Sequence, residues 1–214
     1  MNNHLITNPD HYSKTLQNIQ KDGKDKLHVL ADFDRTLTKS KINGKKHSSL
    51  IETVRKGWYL GEWYSNAAYK LFDHYYPLEI DPSIPLDKKK KHMYEWWEKH
   101  LELFMSAKLS KKHIYESVNS WIIQLRNGFE AFLELLETKN IPLVIMSANG
   151  IGGEAIRIYL DGQWFLRDNI HVISNEFEWD DNGIAIWYSG NIIHVFNKDE
   201  TAIQQFPKIH KKIE

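Results

Sequence analysis

Residues 27–31, Leu-His-Val-Leu-Ala, form a short apolar run that is bounded upstream by the polar stretch 21–26 and ends on two aspartates, Asp32 and Asp34. A run of this length, closed by polar residues, predicts a buried strand of a parallel sheet. Side chains two apart in a strand point the same way. Both carboxylates would then project from the C-terminal end of the strand, where open parallel sheets take their ligands. Thr36 follows on the loop, placed to bond a phosphate oxygen or to orient Asp34. An Asx turn that merely closes a strand uses the same residue types, so the rest of the chain decides between the two readings.

The chain has 214 residues, 42% of them hydrophobic, enough for one large or two small domains with a buried core. Lys plus Arg and Asp plus Glu both number 28. No global charge therefore draws nucleic acid or an anionic membrane, and any anion must be held by a local site. The lysine run 88–91 is a solvated helix start on this reading. The absence of cysteine excludes disulfides, a thiol nucleophile and thiolate zinc sites. His28, His171 and His194 lie in or beside apolar runs at no metal-binding spacing. The N-terminus lacks the apolar core of a secretory signal and no segment is long enough to span a bilayer, so a soluble, cytoplasmic protein is expected.

Asn8, Pro9 and Asp10 open a helix that runs to about residue 21, with Gly23 at its exit. From residue 39 to about 124, aromatic and charged residues recur at helical spacing, which predicts a helical insert. Its pieces are 48–56, 58–76, 88–107 and 111–125, and the proline-rich link 76–87 is the break between two helical units. Beyond Gly128 the pattern alternates: helix at 129–138, strand at 141–148, helix at 150–160, strand at 170–174. Such alternation implies a parallel sheet. A hairpin turned at Asp181, Asn182 and Gly183 follows, then a strand at 192–196, a loop carrying Lys198 and the start of a helix. The expected architecture is α/β, a doubly wound parallel sheet built from residues 1–40 and 126–214 and interrupted by a helical cap over 41–125.

Two further residues fall where chemistry would sit. Ser147 ends the second strand as Asp32 ends the first, and the glycine-rich ANGIGG turn leads into a helix, so a phosphate there would meet a hydroxyl, backbone N–H groups and a positive helix end. A helix cap would use the same serine. Lys198 lies after the apolar run 192–196, where one cation reaches the same phosphate.

Taken in order, ADFDRTLT, IMSANG and HVFNKDET resemble the three motifs of the haloacid-dehalogenase-like (HAD) phosphatase superfamily: an Asp-x-Asp-x-[Thr/Val] segment, a Ser or Thr, and a Lys. The segments YYPLEIDPSIP, HMYEWWEKH, NIHVISNEFEWDDNG and IIHVFNKDE are similar to those of the cytosolic pyrimidine 5'-nucleotidase family, and the likeness covers nearly the whole chain. The resemblance implies magnesium-dependent hydrolysis of pyrimidine nucleoside 5'-monophosphates through an aspartyl-phosphate. Asp32 would be the nucleophile. Asp34 would be the acid and base. Ser147 and the Ala148 backbone would hold phosphate oxygens, and Lys198 would offset their charge. The same resemblance implies that magnesium takes a carboxylate oxygen of Asp32 and the backbone carbonyl of Asp34, an all-oxygen site. It also makes Glu79 the residue that reads the base. Trp63, Tyr64, Trp96 and Trp97 are of the kind that stack on bases, but they read first as the core of the insert.

The sequence departs from the family in three places. It reaches Glu214 without the GDSxGD-like fourth motif that completes the magnesium site, and Asp180 and Asp181 precede Lys198 and cannot replace it. In the family the strand of that motif lies beside the Asp32 strand, so an open sheet edge, and a fragment or truncated product, is expected here; a full-length form is expected to be a monomer. His100 stands where the family has a substrate-contacting serine, and SANGIGG is one residue longer than the usual loop, so no donor beyond Ala148 is transferred. Two alternatives remain at this level: a phosphatase for another small phosphomonoester, and a catalytically impaired nucleotide-binding fragment.

Overall fold

A computed structural model of the chain describes residues 5–120 and 122–198. In chain order the elements are α1 (Pro9–Asp22), β1 (Val29–Ala31), the short strands β2 (Lys41–Ile42) and β3 (Lys45–Lys46), helices α2 (Leu50–Lys56), α3 (Glu62–Ile80), α4 (Leu86–Ser106), α5 (Lys111–Val118) and α6 (Phe129–Thr138), then β4 (Leu143–Met146), α7 (Gly152–Gly162), β5 (Ile170–Ile173), β6 (Glu176–Trp179) and β7 (Ala185–Ser189).

The sheet that carries the fold is parallel, in the order β1-β4-β5. Val29 stands opposite Leu143 and Ala31 opposite Ile145, and on the other side Leu143 pairs with Ile170 and Met146 with Ile173. All four residues of β4 are buried, as a central strand covered on both faces demands. Leu143 and Ile145 face a large core, while Val144 and Met146 face a smaller cluster with Ile173 and Ile193. β1 is an edge of this sheet among the described residues, and Leu30 is 38% exposed. The strand expected to be buried is therefore only partly so.

The helical segment is bonded to the sheet domain by more than chain connectivity. Leu50, Val54, Tyr64, Leu101, Phe104 and Ile114 from α2–α5 share one continuous core with Phe129, Leu133, Leu143, Ile145 and Ile156. Phe104 stacks on Tyr64 at 5.5 Å and meets Phe177 of β6 edge-on at 6.0 Å. Where the chain crosses between the two regions, Lys39 N–H donates to Gln124 and Arg126 N–H donates to Leu37 (2.8 and 2.9 Å).

Several elements match the sequence reading: α1 with Asn8 capping His11 N–H, α6, β4, β5 and the β6–β7 hairpin. Others differ for identifiable reasons. The helix expected at 48–56 begins at Leu50, because Ser49 and Glu52 form a capping box. The helix expected over 111–125 stops at Val118, and Leu125 instead bridges Thr38. The helix after ANGIGG starts at Gly152, since Asn149 Oδ1 accepts from Ile151 N–H and closes a turn first. Asn43 and Gly44, both left-handed, turn β2 into β3, an Asn-Gly hairpin that the reading of 39–47 overlooked. Residues 192–196 form no strand: Asn175 bonds both backbone groups of Ile193, and a turn follows over 195–197. The helix expected after Lys198 lies outside the described residues. Among the described residues no helix is long and apolar enough to cross a membrane.

Because one core joins helices and sheet, Phe104→Ala should cost about 3–5 kcal/mol and leave a single cooperative urea transition seen alike by circular dichroism and tryptophan fluorescence. Two separated transitions would contradict the shared core.

Candidate active site

β1 delivers its chain to Asp32 in extended conformation, and the backbone then folds tightly through Phe33–Leu37. Thr38 N–H donates to the Phe33 carbonyl at 3.1 Å, and Thr38 Oγ1 accepts from Arg35 N–H at 2.7 Å. Arg35 holds the left-handed conformation at φ 65° that lets this loop reverse. Such a conformation costs a residue with a Cβ of order 1 kcal/mol or more. Its own side chain compensates by bonding Glu52 (3.0 Å) and the His47 carbonyl (3.2 Å), while Arg126 clamps the Thr36 and Arg35 carbonyls (2.6 and 2.8 Å).

Within that loop the two carboxylates have different surroundings. Asp32 accepts from the Thr36 hydroxyl at 3.0 Å through one oxygen and pairs with the Lys198 ammonium through the other. Asp34 accepts the backbone N–H of Leu50 at 2.8 Å, the first residue of α2, although the helix is only seven residues long. The residue as a whole is half-buried, but its carboxyl is enclosed, and this burial outweighs the Leu50 bond and pushes it up to about 7, with the Asp32 charge adding to the rise.

At the end of β4, Ser147 is buried, and its N–H continues the sheet by bonding Ile173 at 2.9 Å. Its hydroxyl oxygen accepts Asn149 N–H at 3.2 Å, which leaves the hydroxyl proton to donate elsewhere. The segment bearing Lys198 is fixed from both sides. Asn175 and Asn197 bond the backbone of residues 192–194, and Phe196 packs against the Tyr75, Met93 and Trp96 cluster of α3 and α4.

Beside these strand ends lies a cavity of about 180 Å³ between the loop over Ala148 and helices α2–α4. Phe72, Tyr76, Trp96 and Trp97 give it aromatic walls, and Arg35, Arg55, Glu79 and His100 reach it as polar groups. Trp96 and Trp97 are stacked at 5.8 Å and 10°, and Trp96 stacks in turn on Tyr75. A Cβ at Gly150 would come within 2.3 Å of the Trp97 ring, so only glycine allows Trp97 to lie over the Ser147 turn. Glu79 sits in the last turn of α3, not in the loop that its neighbouring prolines suggest: the helix runs on through Pro77 to Ile80. Burial raises its carboxyl, opposed by Lys89 and Lys46. His100 is 1% exposed; its Nε2 lies 2.9 Å from the Tyr64 hydroxyl, its Nδ1 has no partner, and burial pushes it down to about 3, so it is neutral.

Of the residues singled out from sequence, Asp32, Asp34 and Lys198 meet at the end of β1, Ser147 follows the adjacent strand, and Ala148, Glu79 and His100 line the cavity. Trp96 and Trp97 line it too, whereas Tyr64 is core and Trp63 is exposed. Arg35 and Arg55 are cavity residues that the sequence reading missed. Arg55 follows the helical period of α2 and carries no motif, but Arg35 sits inside LADFDRTL and is overlooked only when its positive φ is unknown.

The parallel sheet and the helices around it have the fold of HAD-like hydrolases. A HAD family hydrolase from Salmonella enterica serovar Typhi superposes with a TM-score of 0.55 at 13% identity, covering 95% of this chain and 62% of that one. The crystal structure of cytosolic 5'-nucleotidase IIIB bound to cytidine superposes with a TM-score of 0.79 at 24% identity, covering 98% and 69%. Residues 35–214 match the pyrimidine 5'-nucleotidase (UMPH-1) family model, and the chain belongs to that family. The human 7-methylguanosine phosphate-specific 5'-nucleotidase is 34% identical over 94% of this chain and 66% of its own length, so the chain spans about two thirds of that relative.

The His100 environment has a measurable consequence. An unfolded histidine takes a proton near pH 6.5, and the folded one not until about 3, so its share of stability is complete above pH 6.5 and is lost as pH falls toward 3. On the order of 3 kcal/mol should disappear between about pH 7 and pH 4 from this group. His100→Gln should flatten the pH dependence of the urea midpoint over that window; an unchanged slope would contradict a buried neutral imidazole.

Proposed function

We propose that this chain is a 5'-nucleotidase that hydrolyses nucleoside 5'-monophosphates, with residues 41–125 acting as a cap over a HAD-like core of 1–40 and 126–214. The observation that carries the reading is the Asp32–Lys198 pair just past β1 together with a neighbouring cavity, reached through Arg35 and Ala148, that has aromatic walls and the half-buried carboxylate of Glu79. The pair suits a phosphoryl group and the cavity a base. UMP and CMP are the substrates that the family description favours, and 7-methylguanosine 5'-monophosphate is the one in the human relative's name. A methylated, cationic guanine would gain from the faces of Trp96 and Trp97 and from the Glu79 charge.

The chemistry assigned to the residues is a double displacement. An Asp32 carboxylate oxygen attacks phosphorus, the bond from phosphorus to O5′ breaks, and Asp34 gives its proton to the departing oxygen. A water then attacks phosphorus, Asp34 takes its proton, and the bond to Asp32 breaks to release phosphate. Lys198, the Ser147 hydroxyl and Ala148 N–H stabilise the charge on the phosphoryl oxygens throughout. Thr36 donates to the second Asp32 oxygen.

Magnesium fits the donors present. The Asp32 carboxylate and the Asp34 backbone carbonyl are hard oxygen ligands, and no group of three His, Cys, Asp or Glu side chains forms a cage among the described residues. Magnesium takes a few such hard oxygen ligands alongside water and phosphate. When bound it would offset the negative charge gathered between phosphate and Asp32. A cytoplasmic location is part of the proposal, supported by the cytosolic name of the superposed nucleotidase.

Hydrolysis of UMP, CMP and 7-methylguanosine 5'-monophosphate with magnesium tests the reading. Asp32→Asn should lower kcat by about 10³-fold or more. Glu79→Gln should raise KM by about 10- to 100-fold with a smaller change in kcat. Binding without turnover by the unmodified chain would mean a nucleotide-binding protein instead.

A further inference from the structure

Arg55 is the most conspicuous polar group in the cavity that the proposed mechanism leaves unused. It lies in the last turn of α2, is 5% exposed, and lines the cavity with Phe72, Trp96 and Trp97. Its guanidinium packs over the rings of Tyr69 and Phe72 at 5.5 and 5.4 Å, and its backbone carbonyl is held by the Ser65 hydroxyl at 2.8 Å. The side chain is thus fixed, yet its guanidinium has no hydrogen-bond acceptor and no ion pair among the described residues, and Nε is fully enclosed without a partner. The nearest carboxylate along the helix, Glu52, is taken: it bonds Arg35 at 3.0 Å and Ser49 N–H at 3.2 Å, and pairs with Lys56 at 3.6 Å.

A guanidinium stays charged at any working pH. Enclosing it without an acceptor is costly, and two ring faces make good only part of the loss. An acceptor that enters the cavity would supply the missing bond to the terminal nitrogens. Phosphate is the wrong candidate, because Lys198 and the Ser147 turn already occupy the end where Asp32 lies. Arg55 lines the cavity together with Phe72, Trp96 and Trp97, where a planar base would stack, and a planar fork beside a stacked base meets the base edge. Arginine's partners on such an edge are a ring carbonyl oxygen and an adjacent ring nitrogen, and an amine in the carbonyl's place turns a donor toward the guanidinium. Glu79 lines the same cavity without pairing to Arg55, so it remains to accept an N–H from the base.

We infer that Arg55 is a specificity-determining residue that donates to a ring carbonyl of the base, so that the site takes nucleotides of carbonyl-bearing bases and rejects adenine. The inference rests on the nucleotidase reading, but it is legible in binding alone. Inosine and adenosine 5'-monophosphates isolate it: they share ring size, ribose and phosphate, and differ in a carbonyl with a ring N–H against an amine with a bare ring nitrogen. Adenine offers Arg55 no carbonyl and meets Glu79 with a different pattern.

The experiment titrates the 214-residue chain with IMP and AMP, read by calorimetry and by tryptophan quenching. The unmodified chain should prefer IMP by about 10- to 100-fold. Arg55→Met, which keeps the stem and removes every donor, should bring that ratio near one. Arg55→Gln, which retains an N–H donor, should leave an intermediate ratio, and it decides the matter if circular dichroism shows that the methionine variant does not fold. Equal binding of IMP and AMP by the unmodified chain, or an unchanged ratio in the folded variants, overturns the inference. An Arg55-dependent preference in a chain that turns over no nucleotide upholds it and overturns only the nucleotidase reading; no binding of either IMP or AMP overturns the inference alone, because the nucleotidase reading is decided by UMP, CMP and 7-methylguanosine 5'-monophosphate.

Discussion

The parallel register of β1 against β4 is the constraint on which the rest depends. With Ala31 opposite Ile145, both strands end at the same edge of the sheet, so Asp32 and Ser147 leave it side by side. Neighbouring strands lie about 4.8 Å apart, a spacing that one phosphoryl group spans. β5 extends the same edge, and Ser147 N–H closes onto Ile173. Asn175, just past β5, then ties down residue 193, from which the chain turns back to place Lys198 on Asp32. A shift of one residue in the β1–β4 pairing would turn the apolar side chains of one strand to the wrong face, and with them the acid that the lysine neutralises.

Around this edge the molecule separates two kinds of environment. The strand ends carry paired charge with partial solvent access, where Asp32 and Lys198 hold each other. One helix layer away, Trp96, Trp97, Phe72 and Tyr76 enclose a space in which Glu79, Arg55 and His100 lose much of their solvation. The two meet through short connections. Arg35 couples the motif loop to α2 through Glu52, and Gly150 permits Trp97 to lie over the Ser147 turn. Phe196 fastens the Lys198 segment to the aromatic cluster of α3 and α4. Shape and electrostatics are therefore set by the same side chains.

Much of this was legible in order along the chain. The apolar runs at β4 and β5, the Asn8-Pro9 helix start and the Asp-Asn-Gly hairpin are local signals, and local signals survive tertiary packing. Misreadings arose where a neighbour outside the local window decided the outcome. Pro77 reads as a break, yet α3 continues past it, with Leu78 packed against Tyr75, Met93 and Trp96 and the Glu79 carbonyl accepting from the Lys89 ammonium of α4. Residues 192–196 have strand composition, but the Asn175 side chain takes the backbone groups that a neighbouring strand would have used. Trp96 and Trp97 could not be told from core residues, since helical spacing puts apolar residues on a face without saying what that face meets.

The sequence by itself determined which residue types stand at the strand ends: the places of Asp32 and Ser147 just past apolar runs, in the order Asp, Ser, Lys with Lys198, follow from period-two strands and glycine-rich turns, which are properties of neighbouring residues. Only the tertiary structure decided which polar groups are left without partners. That Glu52 bonds Arg35 depends on the loop after β1 meeting α2, and that Arg55 lies over two rings without a hydrogen-bond acceptor and that His100 is neutral depend on contacts between α2, α3 and α4. Desolvation is set by everything that surrounds a group at once, and no stretch of sequence encodes it alone.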